Sequence, residues 1–438
     1  MNDKDFAGRR VTVMGLGRFG GGVGVTRWLA RQGARVTVSD AAPAEALSES
    51  IAALADLDVT LHLGGHEMAD FTDTDLLVVN PAVPFDSPHV AAAKAAGVEL
   101  TTEINLFLAR CRGVVVGVTG SAGKSTTTSM IGEVLSTRVP TRVGGNIGKS
   151  LLEELPDIAP DHAVVLELSS FQLYYLPLLG RSPHVAVVTN LHENHLDRHL
   201  RMEHYAEAKK NLFRFQTPGD VLVLNADDPF VAAWTGEAPG RVEFFRADPG
   251  APGFELLLPG RHNQANAQAA WTVGRCFGVD RASAAAALKR FAGLPHRMQF
   301  VAEIDGVRYF NDSKCTTPAE AAAVLASFPP RSMIVIVGGY DKKADFGDLC
   351  RLLAALAKGV VATGETGEGL ARGVEQAAGS DGPTIVRAKP FDAAVHAARG
   401  LAQAGDVVLL APACASFDQF KNYEQRGQRF VALVQGWQ

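Results

Sequence analysis

A glycine-rich segment constrains the fold of this chain more than any other feature of its sequence. Residues 114–118 are a valine-rich run typical of a buried parallel strand. A loop with Gly120 and Gly123 follows, and Lys124 and Ser125 then open a helical segment. A strand, a glycine loop and a helix N-terminus form a phosphate cradle, in which a lysine reaches the terminal phosphates and a hydroxyl holds Mg²⁺. We therefore predict an ATP site.

This loop departs from the usual phosphate-loop pattern at one position, because Val118 stands where that pattern has its first glycine. The alternative interpretation is an ordinary glycine-rich turn between a strand and a helix. A Gly-Lys-Ser sequence that follows a valine strand favours the nucleotide site.

Length and composition exclude several classes of protein. With 438 residues the chain is too long for one ordinary core and suits two or three domains. An apolar content of 47% with 20% charged residues is typical of a globular protein. The net charge of −5 gives no electrostatic case for a nucleic acid or an anionic membrane as partner. No stretch of the sequence is apolar enough to span a bilayer.

Two features predict a cytoplasmic location. The first residues, MNDKDF, are charged and lack the apolar core of a signal peptide. The five cysteines are scattered, odd in number and without a CxxC spacing. This usage indicates a reducing compartment and argues against a zinc site or a disulfide framework.

The N-terminal residues carry the pattern of a dinucleotide-binding fold. A predicted strand at 11–14 runs into the segment GLGRFG at 15–20, and a second strand at 35–39 ends at Asp40. This fingerprint favours an NAD-dependent oxidoreductase, or a Rossmann-like turn that binds another nucleotide or none. The glycines within 20–24 predict a close approach of the backbone to a ligand or a loosened helix start.

Strand and helix patterns alternate to the end of the chain and predict an α/β fold with mostly parallel sheets. We predict a Rossmann-like N-terminal domain at residues 1–109, a central ATP-binding domain of the phosphate-loop ATPase type at 110–294, and a Rossmann-like α/β C-terminal domain at 295–438. The predicted elements include strands at 163–169, 185–189, 333–337 and 407–410 and a hairpin at 300–310.

Three polar residues of the central domain lie at the phosphate loop or after buried strands, namely Ser125, Glu167 and His195. Because open α/β sheets bind ligands at the carboxyl ends of their strands, we expect these side chains to meet. A hydroxyl, a carboxylate and an imidazole suit one or two Mg²⁺ ions that bridge phosphates. His192 lies in the same loop and is interpreted as a bystander.

Several short motifs resemble those of the Mur ligase family in their order along the chain. They occur at residues 119–126, 167–172, 190–198, 263–266, 293–297 and 311–314. A motif at 412–427 is similar to that of the branch of the family that adds D-glutamate. The resemblance covers nearly the whole chain, and in the N-terminal domain the pattern matches more than the residues do.

The chain also departs from the family pattern at several positions. Ala122 replaces a usual Asn, Asn194 replaces the Asp before the metal-binding His, and Tyr423 replaces a Phe. Asn-Pro-Ala at 80–82 replaces Ser-Pro-Gly, and Ala-Ala-Pro follows Asp40 where a Thr/Arg pair often holds the uridine phosphates. The uridine end is therefore the part of the site that the resemblance defines least.

The resemblance implies a role for each matching residue. Lys124, Glu167, His195 and Lys209 would be catalytic; Ser125 and Glu167 would hold one Mg²⁺, and His195 and a carbamylated Lys209 a second. A free ammonium would repel Mg²⁺, whereas a carbamate supplies an anionic oxygen. The residues implied to bind ATP are Thr119, Gly120, Ser121, Ala122, Gly123, Lys124, Ser125, Thr126, Asn263, Asn266, Arg297 and Asp312. The residues implied to bind the substrates are Gly15, Asp40, Asn146, Lys314, Thr316, Lys342, Ser416, Phe417 and Tyr423.

The function implied by the resemblance is an ATP-dependent amide ligation in peptidoglycan precursor synthesis. ATP would phosphorylate the carboxylate of UDP-N-acetylmuramoyl-L-alanine, and the amine of D-glutamate would displace phosphate from the acyl phosphate. We expect a cytoplasmic monomer whose partners are these small molecules. The alternatives are another Mur-type or a folylpolyglutamate-type ligase and, from a different class, the NAD-dependent oxidoreductase.

Overall fold

The computed structural model describes residues 6–17, 20–248, 250, 253–379 and 381–437. The chain forms two compact units, residues 1–254 with 264–288 (unit 1) and residues 255–263 with 289–438 (unit 2). The first residues of the chain, and Arg18 and Phe19 of the glycine fingerprint, lie outside the described residues.

The first sheet of unit 1 is formed by strands that alternate with short helices. The strands are β1 (Arg10–Met14), β2 (Arg35–Asp40), β3 (Val59–Leu63), β4 (Leu76–Val79) and β5 (Glu99–Thr101). The helices are α1 (Gly21–Arg31), α2 (Ser48–Ala52), α3 (Ala69–Thr72), α4 (Pro88–Ala95) and α5 (Glu103–Arg110). All neighbours pair in parallel in the order β3-β2-β1-β4-β5, which is the predicted Rossmann-like arrangement.

The second sheet of unit 1 contains the predicted phosphate-loop strand at its centre. The strands are β6 (Val114–Thr119), β7 (Thr141–Gly145), β8 (Ala163–Glu167), β9 (Val185–Val188), β10 (Val221–Asn225) and β11 (Arg241–Phe245). The helices are α6 (Lys124–Leu135), α7 (Ser170–Tyr174), α8 (Leu196–His199), α9 (Met202–Arg214), α10 (Pro229–Ala232), α11 (Arg261–Cys276) and α12 (Arg281–Arg290). The order is β11-β10-β9-β6-β8-β7, and every pairing is parallel.

The register of this second sheet determines where its polar strand ends meet. Val118 is paired with Glu167, Thr119 with Val188, and Gly145 again with Glu167. The carboxyl ends of β6, β7, β8 and β9 therefore lie side by side. The phosphate loop leaves β6 at this edge, as the sequence predicts.

The two sheets of unit 1 share buried apolar side chains. One cluster contains Trp28 and Phe107 from the N-terminal segment together with Leu166 of β8, and another packs Tyr175 against Phe71. Burial of this apolar surface stabilises the two predicted domains as one compact unit. The boundary at 109/110 stays a prediction, as does the one at 294/295.

Gly24, within the glycine-rich segment 20–24, has a structural explanation within unit 1. Helix α1 begins at Gly21, and a Cβ on Gly24 would lie 2.4 Å from the Cβ of Ser150. The backbone at Gly24 therefore lies close to the loop after β7, and a side chain on Gly24 would collide with Ser150 of that loop.

Unit 2 contains one mixed sheet. The strands are β12 (Gln299–Ile304), β13 (Val307–Asn311), β14 (Met333–Val337), β15 (Gly359–Ala362), β16 (Thr384–Arg387) and β17 (Val407–Leu410). The helices are α13 (Pro318–Leu325), α14 (Gly347–Leu356), α15 (Gly367–Ala377), α16 (Phe391–Leu401) and α17 (Tyr423–Gln435). In the order β12-β13-β17-β14-β15-β16, only the predicted hairpin β12–β13 is antiparallel.

No helix in the described part of the chain is long and apolar enough to cross a membrane.

Candidate active site

The phosphate loop between β6 and α6 has a backbone that only glycine can follow at two positions. Gly120 has φ 152°, and a Cβ there would lie 1.9 Å from Thr189 Oγ1. Gly123, with φ 78°, precedes the first residue of α6, and its Cβ would lie 2.9 Å from Asn266 Oδ1. Both glycines thus allow a tight loop that leaves the N-terminus of α6 open, as phosphate binding requires.

Residues at the end of β9 hold this loop in place. Asn190 Oδ1 accepts hydrogen bonds from the backbone amides of Ser121 (3.1 Å) and Ala122 (2.8 Å). Thr189 Oγ1 donates to the carbonyl of Ala122 at 2.7 Å. These contacts use only the backbone of Ala122, so its methyl side chain is compatible with the loop. The sequence offered one signal for this role, since Thr189 and Asn190 lie at the end of the strand predicted at 185–189.

The side chain of Lys124 folds back onto the phosphate loop, which directly precedes it in the chain. Its Nζ donates to the carbonyls of Gly120 and Ser121, each at 3.1 Å. Ser125 and Thr126 occupy the same first turn of α6 and are half-buried.

Ser121 Oγ donates to the carbonyl of His192, whose amide donates back to Ser121 Oγ at 2.9 Å. His192 therefore contacts the loop through its backbone, which agrees with its interpretation as a bystander side chain.

Glu167 ends β8 as a buried carboxylate, 2% exposed. Its Oε1 accepts a hydrogen bond from Asn146 Nδ2 at 2.8 Å. Its Oε2 is buried and has no hydrogen-bond partner among the described residues. An anionic oxygen in such a position is costly unless a cation compensates it, so this donor fits a Mg²⁺ ion.

Lys209 is the second unusual charge of this edge. The side chain of this α9 residue is 1% exposed, and its Nζ donates to the Gly120 carbonyl at 2.7 Å. The same nitrogen also lies 4.4 Å from the centre of the Tyr205 ring. Burial and then the charge of Lys124 lower the pKa of Lys209 well below its ordinary value, while Glu167 opposes that change. The amine is thereby favoured in its neutral form.

His195 lies at the start of α8 in a left-handed backbone conformation, φ 55°. Partial burial, followed by the charges of Lys124 and Lys209, lowers the pKa of His195. A neutral imidazole can act as a metal ligand. Within the residues that the structure describes, no three His, Cys, Asp or Glu side chains form a metal-binding group. The predicted metal set supplies the hydroxyl of Ser125, one carboxylate and one imidazole, and a carbamylated Lys209 would add an anionic donor.

The residues implied to bind the nucleotide lie in both units. In unit 1, Asn266 accepts a hydrogen bond from Thr127 Oγ1 at 3.0 Å, directly behind the phosphate loop. In unit 2, Asn263 donates to the Pro259 carbonyl at 2.7 Å. Asp312 accepts from the Met298 amide, and burial raises the pKa of Asp312 to about 6. Arg297 belongs to the turn that precedes β12.

A cleft of ≈ 720 Å³ runs between the two sheets of unit 1. Three residues predicted to bind the substrate line it, namely Gly15, Asp40 and Asn146. The two oxygens of Asp40 accept from the amides of Gly17 and Ala42, so this acid orders the loops around the cleft. Burial raises the pKa of Glu103, also on the cleft wall, to about 7. A carboxyl group that is protonated more readily repels an anionic ligand less.

The other implied substrate residues belong to unit 2. Lys314 Nζ lies 5.8 Å from the Tyr423 ring centre, and the Thr316 amide donates to Glu320. Ser416 is buried, whereas Lys342 and Phe417 are exposed. These residues lie on loops at the carboxyl ends of the parallel strands, where such sheets bind ligands.

Arg426 organises these loops, a role that no sequence signal indicated. Its guanidinium is 2% exposed and donates to Ser313 Oγ and to the carbonyls of Ser313, Cys414 and Ala415, at 2.8–3.2 Å. Burial lowers the pKa of Arg426 to about 10, so it is charged at neutral pH. The Arg426 side chain thereby connects Cys414 and Ala415, which precede Ser416, to Ser313, which precedes Lys314.

We expect Arg426→Ala to destabilise the protein by about 3 kcal/mol or more, since hydrogen bonds from a charged donor are lost and buried carbonyls lose their partner. Urea denaturation followed by circular dichroism would measure the loss. Arg429, on the same helix and paired with Asp392 at the surface, is the matched control. Arg429→Ala should leave the midpoint nearly unchanged, and equal midpoints for both variants would contradict the assigned role of Arg426.

Three family models match consecutive parts of the chain. The "Mur ligase MurD-like, N-terminal domain" matches residues 9–102, the "Mur ligase middle domain" residues 118–251, and the "Mur ligase, glutamate ligase domain" residues 296–414. The N-terminal match covers the glycine fingerprint at residues 15–20, so this fingerprint gives no support to the oxidoreductase alternative.

Curated relatives are similar over nearly the full length. The UDP-N-acetylmuramoylalanine–D-glutamate ligase of Symbiobacterium thermophilum is 43% identical, with 97% of this chain and 98% of that protein covered. The protein of the same name from Roseiflexus sp. is 40% identical, with 98% and 99% covered.

Among solved structures, the UDP-N-acetylmuramate–alanine ligase from Thermotoga maritima superposes with a TM-score of 0.60 at 21% identity, covering 98% of this chain and all of that one. A UDP-N-acetylmuramoyl-L-alanyl-D-glutamate–2,6-diaminopimelate ligase superposes with a TM-score of 0.59 at 19% identity, covering 82% of this chain and 92% of that one. At these identities the likeness concerns the fold alone.

Proposed function

The chain belongs to the Mur ligase family, and we propose from that premise that it joins D-glutamate to UDP-N-acetylmuramoyl-L-alanine with ATP. The names of its full-length relatives support the choice of substrates. The observation that carries the chemistry is the group of Lys124, Glu167 and Lys209 around one phosphate loop. A carboxylate must be activated before an amine can attack it, and this group suits the transfer of a phosphoryl group.

The residues of the phosphate loop, 119–126, would bind the phosphates of ATP through backbone amides and the charge of Lys124. The lysine, now hydrogen-bonded to two loop carbonyls, can move to phosphate oxygens of opposite charge without leaving the loop. Asn266 would support the loop from behind, with Asn263, Arg297 and Asp312 as further nucleotide contacts. The protein thus contributes position and positive charge to phosphoryl transfer.

We assign one Mg²⁺ to Ser125 and Glu167 and a second to His195 and a carbamylated Lys209. The buried, unpartnered Oε2 of Glu167 supports the first assignment, and the buried amine of Lys209 with its lowered pKa supports the second. When bound, such ions neutralise charge on the phosphate oxygens. Asn146, which donates to Glu167, would orient this carboxylate at the cleft.

The acceptor substrate would occupy the cleft that Gly15, Asp40 and Asn146 line. D-Glutamate would contact Lys314, Thr316, Lys342, Ser416, Phe417 and Tyr423. We further propose that the protein acts as a monomer on these small molecules in the cytoplasm, where its nucleotide substrates are made.

Phosphate release measures this function directly. With ATP, Mg²⁺ and UDP-N-acetylmuramoyl-L-alanine, we expect D-glutamate to give faster release than L-glutamate, D-aspartate or diaminopimelate. Preference for another amino acid would indicate a different Mur-type or a folylpolyglutamate-type ligase. Tight NADH binding without ATP turnover would contradict the proposal altogether.

A further inference from the structure

Arg198 connects the two sheets of unit 1 at the edge of the cleft. It lies in α8, three residues after His195. Its Nη1 donates to the carbonyl of Ala82 at 3.0 Å, and its Nη2 donates to the carbonyl of Val83 at 2.8 Å. Both carbonyls belong to the loop at residues 80–84 after β4, and this loop lines the cleft together with Arg198. A side chain of the central sheet thus holds a cleft loop of the N-terminal sheet.

Aromatic rings complete this connection. The guanidinium carbon of Arg198 lies 5.5 Å from the ring centre of Phe85 and 5.1 Å from that of Phe171. Phe85, directly after the loop, stacks on Tyr174 with ring centres 4.0 Å apart. A planar cation that faces two neighbouring rings is attracted by both, and its N–H groups can still donate in the plane of the guanidinium.

The contacts of Arg198 suit a guanidinium better than an ammonium. A guanidinium donates to both carbonyls from two separate nitrogens held in a fixed fork while its plane faces the aromatic rings, whereas an ammonium is a single point of charge on a flexible stem. The loop that they hold also carries Asn80, whose Nδ2 donates to the Gly15 carbonyl at 3.1 Å. Gly15 lies in the glycine fingerprint, where a Cβ would come within 2.9 Å of the Asn80 side chain. Movement of the loop would therefore change the cleft wall on two sides.

We propose that Arg198 is a positioning residue that fixes loop 80–84 in the shape that binds the UDP-linked substrate and ties this loop to the segment that carries His195. The change in kinetics expected on loss of Arg198 rests on the proposed function, whereas the expected change in the order of loop 80–84 does not. Arg198 acts through the loop, so its loss should weaken binding of the acceptor nucleotide without weakening binding of ATP.

Hydrogen exchange in the protein without substrates tests the structural part. The amides of Val83 and Ser87 donate to the carbonyls of Asn80 and Pro84 and report on the order of the loop. In Arg198→Ala they should exchange on the order of 10-fold faster, as the loss of hydrogen bonds from a charged donor implies. Strand β10, in the same unit as Arg198, should exchange as in the wild type, which shows that unit 1 remains folded. Unchanged exchange of the loop would overturn the proposal.

Steady-state kinetics test the functional part. The KM for UDP-N-acetylmuramoyl-L-alanine should rise by on the order of 10-fold in Arg198→Ala, with the KM for ATP within about 2-fold of the wild type. Arg201→Ala, an exposed arginine three residues on, is the control and should change neither value. Arg198→Lys should remain close to the alanine variant. Full rescue by lysine, or an equal rise in both KM values, would overturn the positioning role.

The two measurements separate the two proposals. A wild-type protein that releases no phosphate with any acceptor would contradict the proposed function, and the exchange experiment would still decide whether Arg198 holds the loop.

Discussion

Lys209→Ala is expected to lower the rate of phosphate release by on the order of 10²–10³-fold at saturating ATP, Mg²⁺ and substrates. The amine is buried beside Lys124, and its lowered pKa favours the neutral form that CO₂ can modify. A carbamate there would place an anionic oxygen at the edge that also holds Glu167. Alanine removes that donor and leaves a space behind. The measurement is a phosphate-release assay in buffer equilibrated with CO₂.

Lys210 is the matched control, because it is the next residue of α9 and differs in its surroundings. Its ammonium pairs with Glu237 at 2.6 Å and Glu207 at 3.1 Å. Although partial burial opposes them, these pairs raise the pKa of Lys210, so it remains a protonated, partly buried lysine. Lys210→Ala should retain activity. Acetate should partly restore the activity of Lys209→Ala, because its carboxylate can fill the vacated space. Full activity of Lys209→Ala in CO₂-depleted buffer would contradict a catalytic role for a carbamylated Lys209.

The elements that the sequence predicted best are those whose signal is local. Strands β14 and β17 have the bounds predicted from their apolar runs, and the hairpin predicted at 300–310 is formed by β12 and β13, which are joined at Asp305-Gly306. The phosphate-loop strand and the start of α6 at Lys124 are likewise confirmed. In each case the residues that decide the structure are neighbours in the chain, as periodicity and turn chemistry require.

The contacts that the sequence could not predict join distant residues. Arg426 reaches Ser313, and Arg198 reaches Ala82, each more than a hundred residues away. An arginine that becomes buried among carbonyls looks the same in a sequence as one that remains in solvent. The roles of the predicted site residues themselves stay predictions, and the variants described above test them.

Glu167→Gln is expected to reduce turnover by at least about 100-fold while leaving the thermal stability of the protein without metal undiminished. Glutamine preserves the shape of the side chain and the acceptor for Asn146 Nδ2. It replaces a buried anionic oxygen that lacks a hydrogen-bond partner among the described residues by a neutral group. A neutral amide costs less to bury than a carboxylate. The melting temperature without Mg²⁺ should therefore lie within about 2 °C of the wild type or above it.

The gain in stability from Mg²⁺ and ADP separates a metal ligand from a merely structural carboxylate. A ligand that binds only the folded protein stabilises it by an amount that grows with the logarithm of its affinity, so the wild type should show a rise in melting temperature that Glu167→Gln lacks. Glu193→Gln, an exposed carboxylate in the segment between β9 and α8, should respond as the wild type does. If Glu167 served only to position Asn146, its variant would keep both its stability without metal and the stabilisation by Mg²⁺ and ADP, because glutamine retains the acceptor for Asn146, and that result would contradict the assignment. If Glu167→Gln is as stable as the wild type without metal but is no longer stabilised by Mg²⁺ and ADP, the buried oxygen of Glu167 must face the cation.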